Sequence, residues 1–181
     1  MGGEDRLLKR ALGGEEGAFE ELVRMYQTPI YYLTLRFVGD EQAAADLAQT
    51  TFLKAFQGLP GFRQGASFKT WLYRIAINLC KNYLRDHKSK DIDSCDEIDL
   101  PSSSDPLREL IEHEQQRLLL RAWRKLPEKQ RITLTLKVQE GMKYKEIAEV
   151  LGCSIGTVKA NFHHALITLK ETLQEDSNEV S

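Results

Sequence analysis

The stretch DIDSCDEIDLPSSSDP, residues 91–106, limits the architecture more than any other part of the chain. It holds Asp91, Asp93, Asp96, Glu97, Asp99 and Asp105 with no basic residue, a balance of −6, together with two prolines and a serine run. Such a segment has too little apolar surface to offset the entropy of ordering it, and it shows no helical period. The expectation is a flexible acidic linker over residues 91–107. It separates a module at 1–90 from a second at 108–175, with a short acidic tail at 176–181.

Both modules carry helical periodicity, and neither has the alternation of strands. In the first, Phe19, Leu22, Val23 and Tyr26 fall at i, i+3, i+4 and i+7, and Pro29 marks a fresh helical start. Gly39 closes one helix and Asp40 caps the next, which carries Ala44, Leu47, Ala48, Thr51, Phe52 and Ala55 on one stripe. The breaker GLPGF at 58–62 and the loop RQGA lead to Ser67, the expected cap of the longest helix. In the second module a helix from Leu118 ends before Pro127, another spans Glu128 to Val138, and Glu140-Gly141 makes a turn. The predicted fold is all-α, two small helical bundles on a tether.

Charge is segregated although the net value is only −2. Residues 62–90 hold seven Lys or Arg against Asp86 alone, a balance of +6, and residues 117–145 hold nine against Glu128 and Glu140, a balance of +7. Two basic blocks around an acidic spacer suit a chain that touches a polyanion at two places.

The stretch YKEIAEVLGCSIGTVKANFHHALITLK, residues 144–170, fits a helix-turn-helix. Ala148 is the small residue where the helices cross, Gly152 supplies the left-handed turn, and Val158 plugs the contact from the second helix. Ile147, Leu151, Phe162, Ala165 and Leu169 share the core, and Ser154 caps the second helix. Its open side then presents Gly156, Thr157, Lys159, Ala160, Asn161, His163 and His164. Small residues at the amino end admit a sugar-phosphate chain, Lys159 neutralises a phosphate, and Thr157, Asn161 and the histidines can donate to base edges in a major groove. Adjacent helical histidines point about 100° apart and do not share a metal ion easily.

A second basic helix lies in SFKTWLYRIAINLCKNYLR, residues 67–85. Phe68, Leu72, Ile75 and Leu79 form its expected buried stripe, and Thr70, Arg74, Asn78, Lys81 and Arg85 the opposite one. Trp71 and Tyr73 stand near its start. Aromatics interleaved with bases suit unstacked single strands, since rings stack on nucleobases and cations hold the backbone.

In this order, DEQAAADLAQTTFLKAF, FKTWLYRIAINLCKNYLR and LPEKQRITLTLKVQEGMKYKEIAEVLGCSIGTVKANFHHAL resemble regions 2 and 4 of an extracytoplasmic-function bacterial sigma factor. The resemblance implies that Asp46, Gln49, Thr50 and Leu53 dock on core RNA polymerase. It implies that Arg63, Ser67, Lys69, Thr70, Trp71, Arg74, Asn78, Lys81, Asn82 and Arg85 grip the melting −10 element, with the 63–67 loop receiving a flipped base. The −35 duplex would meet Lys145, Ser154, Gly156, Thr157, Lys159, Ala160, Asn161, His163 and His164. Promoter DNA, core polymerase and a cognate anti-sigma factor are the implied partners, with no cofactor, no metal and no catalytic residue. Two departures stand out: Thr50 follows Gln49 where the family commonly has Glu, and Ala160, Asn161 and His164 stand where it often has Ser, Arg and Arg. The lost arginines lower the expected phosphate affinity and its salt dependence.

No run is apolar enough to cross a bilayer, and MGGEDRLLKRALGGEEG interrupts its apolar residues with charge, unlike a secretory signal. Arg6 occupies the Ser/Thr position of a myristoylation motif. A soluble cytoplasmic protein is expected. Cys80, Cys95 and Cys153 are far apart and show no zinc spacing, so ordinary reduced thiols are expected. Two other classes are weaker fits. A stand-alone helix-turn-helix regulator would need a dimer helix or effector domain, and a metal enzyme would have to gather His87, His113, His163 and His164 from scattered positions.

Overall fold

A computed structural model of the chain describes residues 3–62, 65–87, 118–119 and 121–179. All regular secondary structure among the described residues is helical. The chain divides into two units, Met1–Glu97 and Ile98–Ser181. The acidic linker, Cys95 and His113 lie outside the described residues.

The first unit contains α1 (Gly3–Leu12), α2 (Glu16–Val38), α3 (Glu41–Gly58), a 3-10 turn (Leu59–Gly61) and α4 (Phe68–Asp86). The long α2 packs on α1, α3 and α4, and α3 packs on α4. Leu22, Ile30, Leu33, Leu72, Tyr73 and Ile77 lose all solvent contact in the core between them. Gly39, at φ 70°, ends α2 by donating its N–H to Leu35 O, and Asp40 caps α3 by accepting from Ala43 N at 2.6 Å. Ser67 caps α4 through Thr70 N at 3.1 Å. These three boundaries fall where the sequence puts them.

Other features differ from expectation. There is no new start at Pro29, because α2 runs unbroken through it. An interior proline disfavours a helix by about 3 kcal/mol. Burial of Tyr26, Ile30 and Leu33 around it contributes roughly 1.5–3 kcal/mol for each side chain, enough to carry the helix across. Helix α1 was not anticipated. It is tied to α2 by Tyr26 Oη donating to Glu4 Oε2 at 2.7 Å, by the ion pair of Arg10 with Glu15, and by burial of Leu8 and Ala11. Burial and the neighbouring Glu4 carboxylate both push the Tyr26 phenol well above its ordinary range. Nor is α4 the longest helix, at 19 residues against 25 for Ile155–Glu179.

The second unit holds α5 (residues 121–125), α6 (Glu128–Val138), α7 (Tyr144–Leu151) and α8 (Ile155–Glu179). α6 packs on α7 and α8, and α7 on α8. Ile132, Leu136, Met142, Ile147 and Val158 form its core. Trp123 is anchored by its indole N–H donating to Thr135 Oγ1 at 3.2 Å, with the Arg131 guanidinium 5.0 Å over its ring. Burial lowers the pKa of that guanidinium. The helical backbone of α8 continues to Glu179, into the segment taken from sequence for a tail.

Candidate nucleic-acid interface

The helix-turn-helix forms from local preferences. Gly152 ends α7 at φ 64° and ψ 39°, a left-handed conformation that costs an L side chain about 1–2 kcal/mol. Its N–H and that of Cys153 both reach back to Ala148 O, closing the last turn. Lys143 N donates to Glu146 Oε2 at 2.6 Å at the other end of α7. Two residues past the glycine, Ser154 accepts from Thr157 N at 3.1 Å and starts α8. Ala148 and Val158 are buried, as the spacing required. Leu151, Phe162 and Leu169 are half-buried, while Ile147 and Ala165 are fully enclosed.

Gly156, Thr157, Lys159, Ala160, His163 and His164 are all exposed on α8, with Asn161 half-buried beside them. Lys145 is exposed on α7. The Ser154 and Thr157 hydroxyls lie 2.9 Å apart, so each is partly committed to the cap. Lys159 Nζ stands 6.0 Å from the Tyr144 ring, which Lys137 approaches to 4.8 Å and Phe162 meets edge-on at 6.0 Å. The imidazoles of His163 and His164 are 6.2 Å apart at their centroids. An open helix face with small residues at its amino end and one flanking cation is the shape that enters a major groove.

The basic face of α4 needs correction. Arg74, Asn78, Asn82 and Arg85 are exposed and Lys81 and Lys69 half-exposed, which keeps most of the polar stripe intact. Thr70 does not belong to it. That side chain has no exposure, and its hydroxyl sits 2.8 Å from Ser67 Oγ inside the cap. Tyr73 is likewise fully enclosed and offers no ring for stacking. The buried stripe runs through Phe68, Leu72, Tyr73, Ala76, Ile77 and Cys80, whereas Ile75 and Leu79 keep partial exposure. The helix is therefore turned by close to one residue from its expected setting. Packing against both α2 and α3 encloses a wider sector than one apolar stripe would fill.

Trp71 is half-buried in an aromatic group, 5.0 Å from Phe62 and 5.9 Å from Phe68. It also lies on Gly58, where an added Cβ would come within 3.2 Å of the indole. Phe62 is half-buried too, so Trp71 and Phe62 are the aromatic surfaces left near the start of α4. Sequence reasoning did not assign Phe62 a role, although it sits in the GLPGF breaker. Arg63 lies outside the described residues, as does Gln64 in the same loop.

On α3, Asp46, Gln49 and Leu53 are exposed along one side, and Thr50 is half-exposed with its hydroxyl donating to Asp46 O at 2.7 Å. Gln42 Nε2 donates to Asp46 Oδ1 at 3.2 Å. Leu53 and Phe56 remain 56% and 50% exposed on a helix whose other face is buried. They border an open groove of about 570 Å³ with Phe19 and Phe52. Phe56 was missed, though its i+3 spacing from Leu53 was available as a signal.

Cys80 is buried among apolar groups, which pushes its thiol up to about 12. Cys153 is half-exposed at the turn of the helix-turn-helix. No group of three or more potential metal ligands gathers among the described residues.

Comparison with known proteins matches these two units to two family models: Sigma-70 region 2 over residues 22–90, and Sigma-70, region 4, over residues 116–169. The chain is 36% identical to the RNA polymerase sigma-H factor of Pseudomonas aeruginosa, covering 94% of both chains. It is 34% identical to the ECF RNA polymerase sigma-E factor of Escherichia coli K12, covering 93% of both. Among solved structures, CnrH in complex with the cytosolic domain of CnrY superposes with a TM-score of 0.74 at 24% identity, covering 96% of this chain and 98% of that one. The sigma factor RpoE of Bartonella quintana, crystallised with the anti-sigma factor NepR, gives 0.66 at 23% identity, covering 86% and 96%.

Proposed function

Because the chain belongs to the extracytoplasmic-function branch of the sigma-70 family, we propose that it binds core RNA polymerase and directs initiation by gripping two separated promoter elements. Sigma factors are DNA-binding initiation factors. The polymerase makes the phosphodiester bonds, and this subunit contributes binding energy toward strand opening in the cytoplasm.

The observation that carries the proposal is the presence, in separate units, of two different exposed polar helix faces, a cationic one on α4 and one on α8 with Lys159 among small, amide and histidine residues. The exposed face of α8 follows a left-handed glycine turn and suits duplex DNA in the −35 element. The α4 face lines up Arg74, Asn78, Lys81, Asn82 and Arg85 beside Trp71 and Phe62, a combination that suits an unstacked −10 strand. Tethering lets each contact raise the effective concentration of the other. Neither helix has enough cations for selective binding alone at physiological salt.

The bare apolar side of α3, with Asp46, Gln49, Thr50, Leu53 and the added Phe56, is the surface we assign to the polymerase. The structural relative RpoE of Bartonella quintana, crystallised with the anti-sigma factor NepR, supports a similar inhibitor for this chain.

The test is transcription in vitro with purified bacterial core polymerase, with transcript starts mapped by sequencing. Promoter-specific starts that require both the chain and core enzyme are expected. Specific duplex binding without core, and no starts with it, would support a stand-alone regulator instead.

A further inference from the structure

His163 and His164 are both exposed on α8, with ring centroids 6.2 Å apart. Neither imidazole makes a hydrogen bond or an ion pair among the described residues. At 3.6 residues per turn they lie about 140° and 120° around the helix from buried Val158, one on each side of the outward face. His163 continues the row that holds Lys159, and His164 the row that holds Thr157 and Asn161. The two rings thus extend the face assigned to DNA by one further turn.

Charge around them is sparse. Along α8, Lys159 is the one Lys, Arg, Asp or Glu within four residues of either ring. Lys170 and Glu171, opposite in sign, each stand seven residues beyond a histidine, about 10 Å along the axis, where salt screens exposed charges. The two helices packed on α8 bring Glu128, Lys129, Arg131 and Lys137 from α6, and Lys145, Glu146 and Glu149 from α7. Arg131 covers the Trp123 ring, Lys137 donates to Met142 O, and Glu146 accepts from Lys143 N. None of the seven pairs with His163 or His164 among the described residues.

Imidazole is the side chain whose charge ordinarily changes between pH 5 and 8. The neutral ring offers one N–H donor and one acceptor, whereas the protonated ring offers two donors and a positive charge. Beside a phosphate chain the protonated form binds more tightly. We infer that His163 and His164 make the grip of α8 on duplex promoter DNA tighten as pH falls through neutrality. The inference rests on the proposed role of α8 at the −35 element. Lys159 is the one permanent cation on that face of α8, so two protons raise its positive charge from one to three. Arginine at either position would stay charged throughout this range, and the response therefore depends on histidine.

The test titrates holoenzyme, reconstituted from core polymerase and the full chain, with a fluorescent duplex carrying a promoter located by transcript-start mapping. Binding is measured at pH 8 and pH 6, each across a salt series. Wild type should bind more tightly at pH 6 by roughly fivefold for each imidazole, the effect of one charge pair at contact in water. Its slope of log affinity against log salt should steepen by about 0.9 for each imidazole that meets a phosphate. The double variant His163→Gln/His164→Gln should lack both changes, and His163→Arg/His164→Arg should bind at pH 8 at least as tightly as wild type at pH 6. Any pH response of the polymerase itself is common to all three and cancels in their ratios. A wild-type to Gln-variant affinity ratio that is the same at both pH values would overturn the inference and leave the sigma assignment standing. Absence of promoter starts with wild-type holoenzyme, and of duplex binding at either pH, would overturn both.

Discussion

Gly152 and Gly156 lie four residues apart, and alanine should act on them with opposite sign. At Gly152 an added Cβ meets nothing within 4 Å, so the effect is conformational rather than steric. Holding alanine in the left-handed region costs about 1–2 kcal/mol, and the stiffer unfolded chain offsets roughly 0.5 kcal/mol of that. A net loss of about 1 kcal/mol should follow for Gly152→Ala. Gly156 has ordinary helical backbone, and its Cβ would sit 3.6 Å from Ser154 Oγ, a normal contact. Alanine there should stabilise by at most about 1 kcal/mol, less than mid-helix because the position is in the first turn. Yet Gly156 is on the face assigned to DNA, so the new methyl group should weaken −35 binding while the fold gains. Urea unfolding of the full chain followed by circular dichroism, fitted with separate transitions for the two units, measures the first effect. Holoenzyme binding to promoter duplex measures the second. If Gly152→Ala unfolds at the wild-type midpoint, the turn is not held by glycine's backbone freedom and the proposed origin of the helix-turn-helix is wrong.

Arg74→Ala combined with Lys81→Ala should leave core binding intact and impair promoter opening, as read by permanganate reactivity of unpaired thymines; equal loss of both activities would mean the α4 face is misassigned. Asp46→Ala should do the reverse, lowering core affinity in a fluorescence titration, and full affinity would refute the α3 docking surface. Cys80 is raised from 9.0 to about 12 by burial, so the folded thiol keeps its proton where the unfolded one has lost it. The native state then holds more protons between those values, and stability should fall as pH rises from about 9 toward about 12. Cys80→Ala should flatten that part of the stability–pH curve, and an unchanged slope would show that Cys80 is not its source. Asp40→Ala removes the Ala43 N–H acceptor and should destabilise the first unit by about 1 kcal/mol in the same urea experiment.

The sequence by itself determined the features whose physics is local. A cap such as Asp40, Ser67 or Ser154 accepts from an N–H three residues away, and Gly152 occupies a region of backbone space open to few other residues. Those constraints are written in four or five consecutive residues, so the helix boundaries and the helix-turn-helix could be placed without a fold. Tertiary structure decided whatever depends on how many neighbours surround a helix. Periodicity suggested one apolar stripe on α4, but a helix packed on two others encloses a wider sector, and Thr70 and Tyr73 went inside with it. Pro29 stayed within α2 because the core on either side outweighed the lost hydrogen bond. Helix α1 is held against α2 by contacts distant in sequence, the Tyr26 hydroxyl donating to Glu4 and the burial of Leu8 and Ala11. Resemblance places Leu53 on the docking side, whereas Phe56 reads in sequence as an ordinary helix residue and only packing shows that the fold leaves it bare beside Leu53. Hydrogen bonds along a chain reach a few residues, whereas burial is summed over every element that comes near, and that sum exists only once the chain has folded.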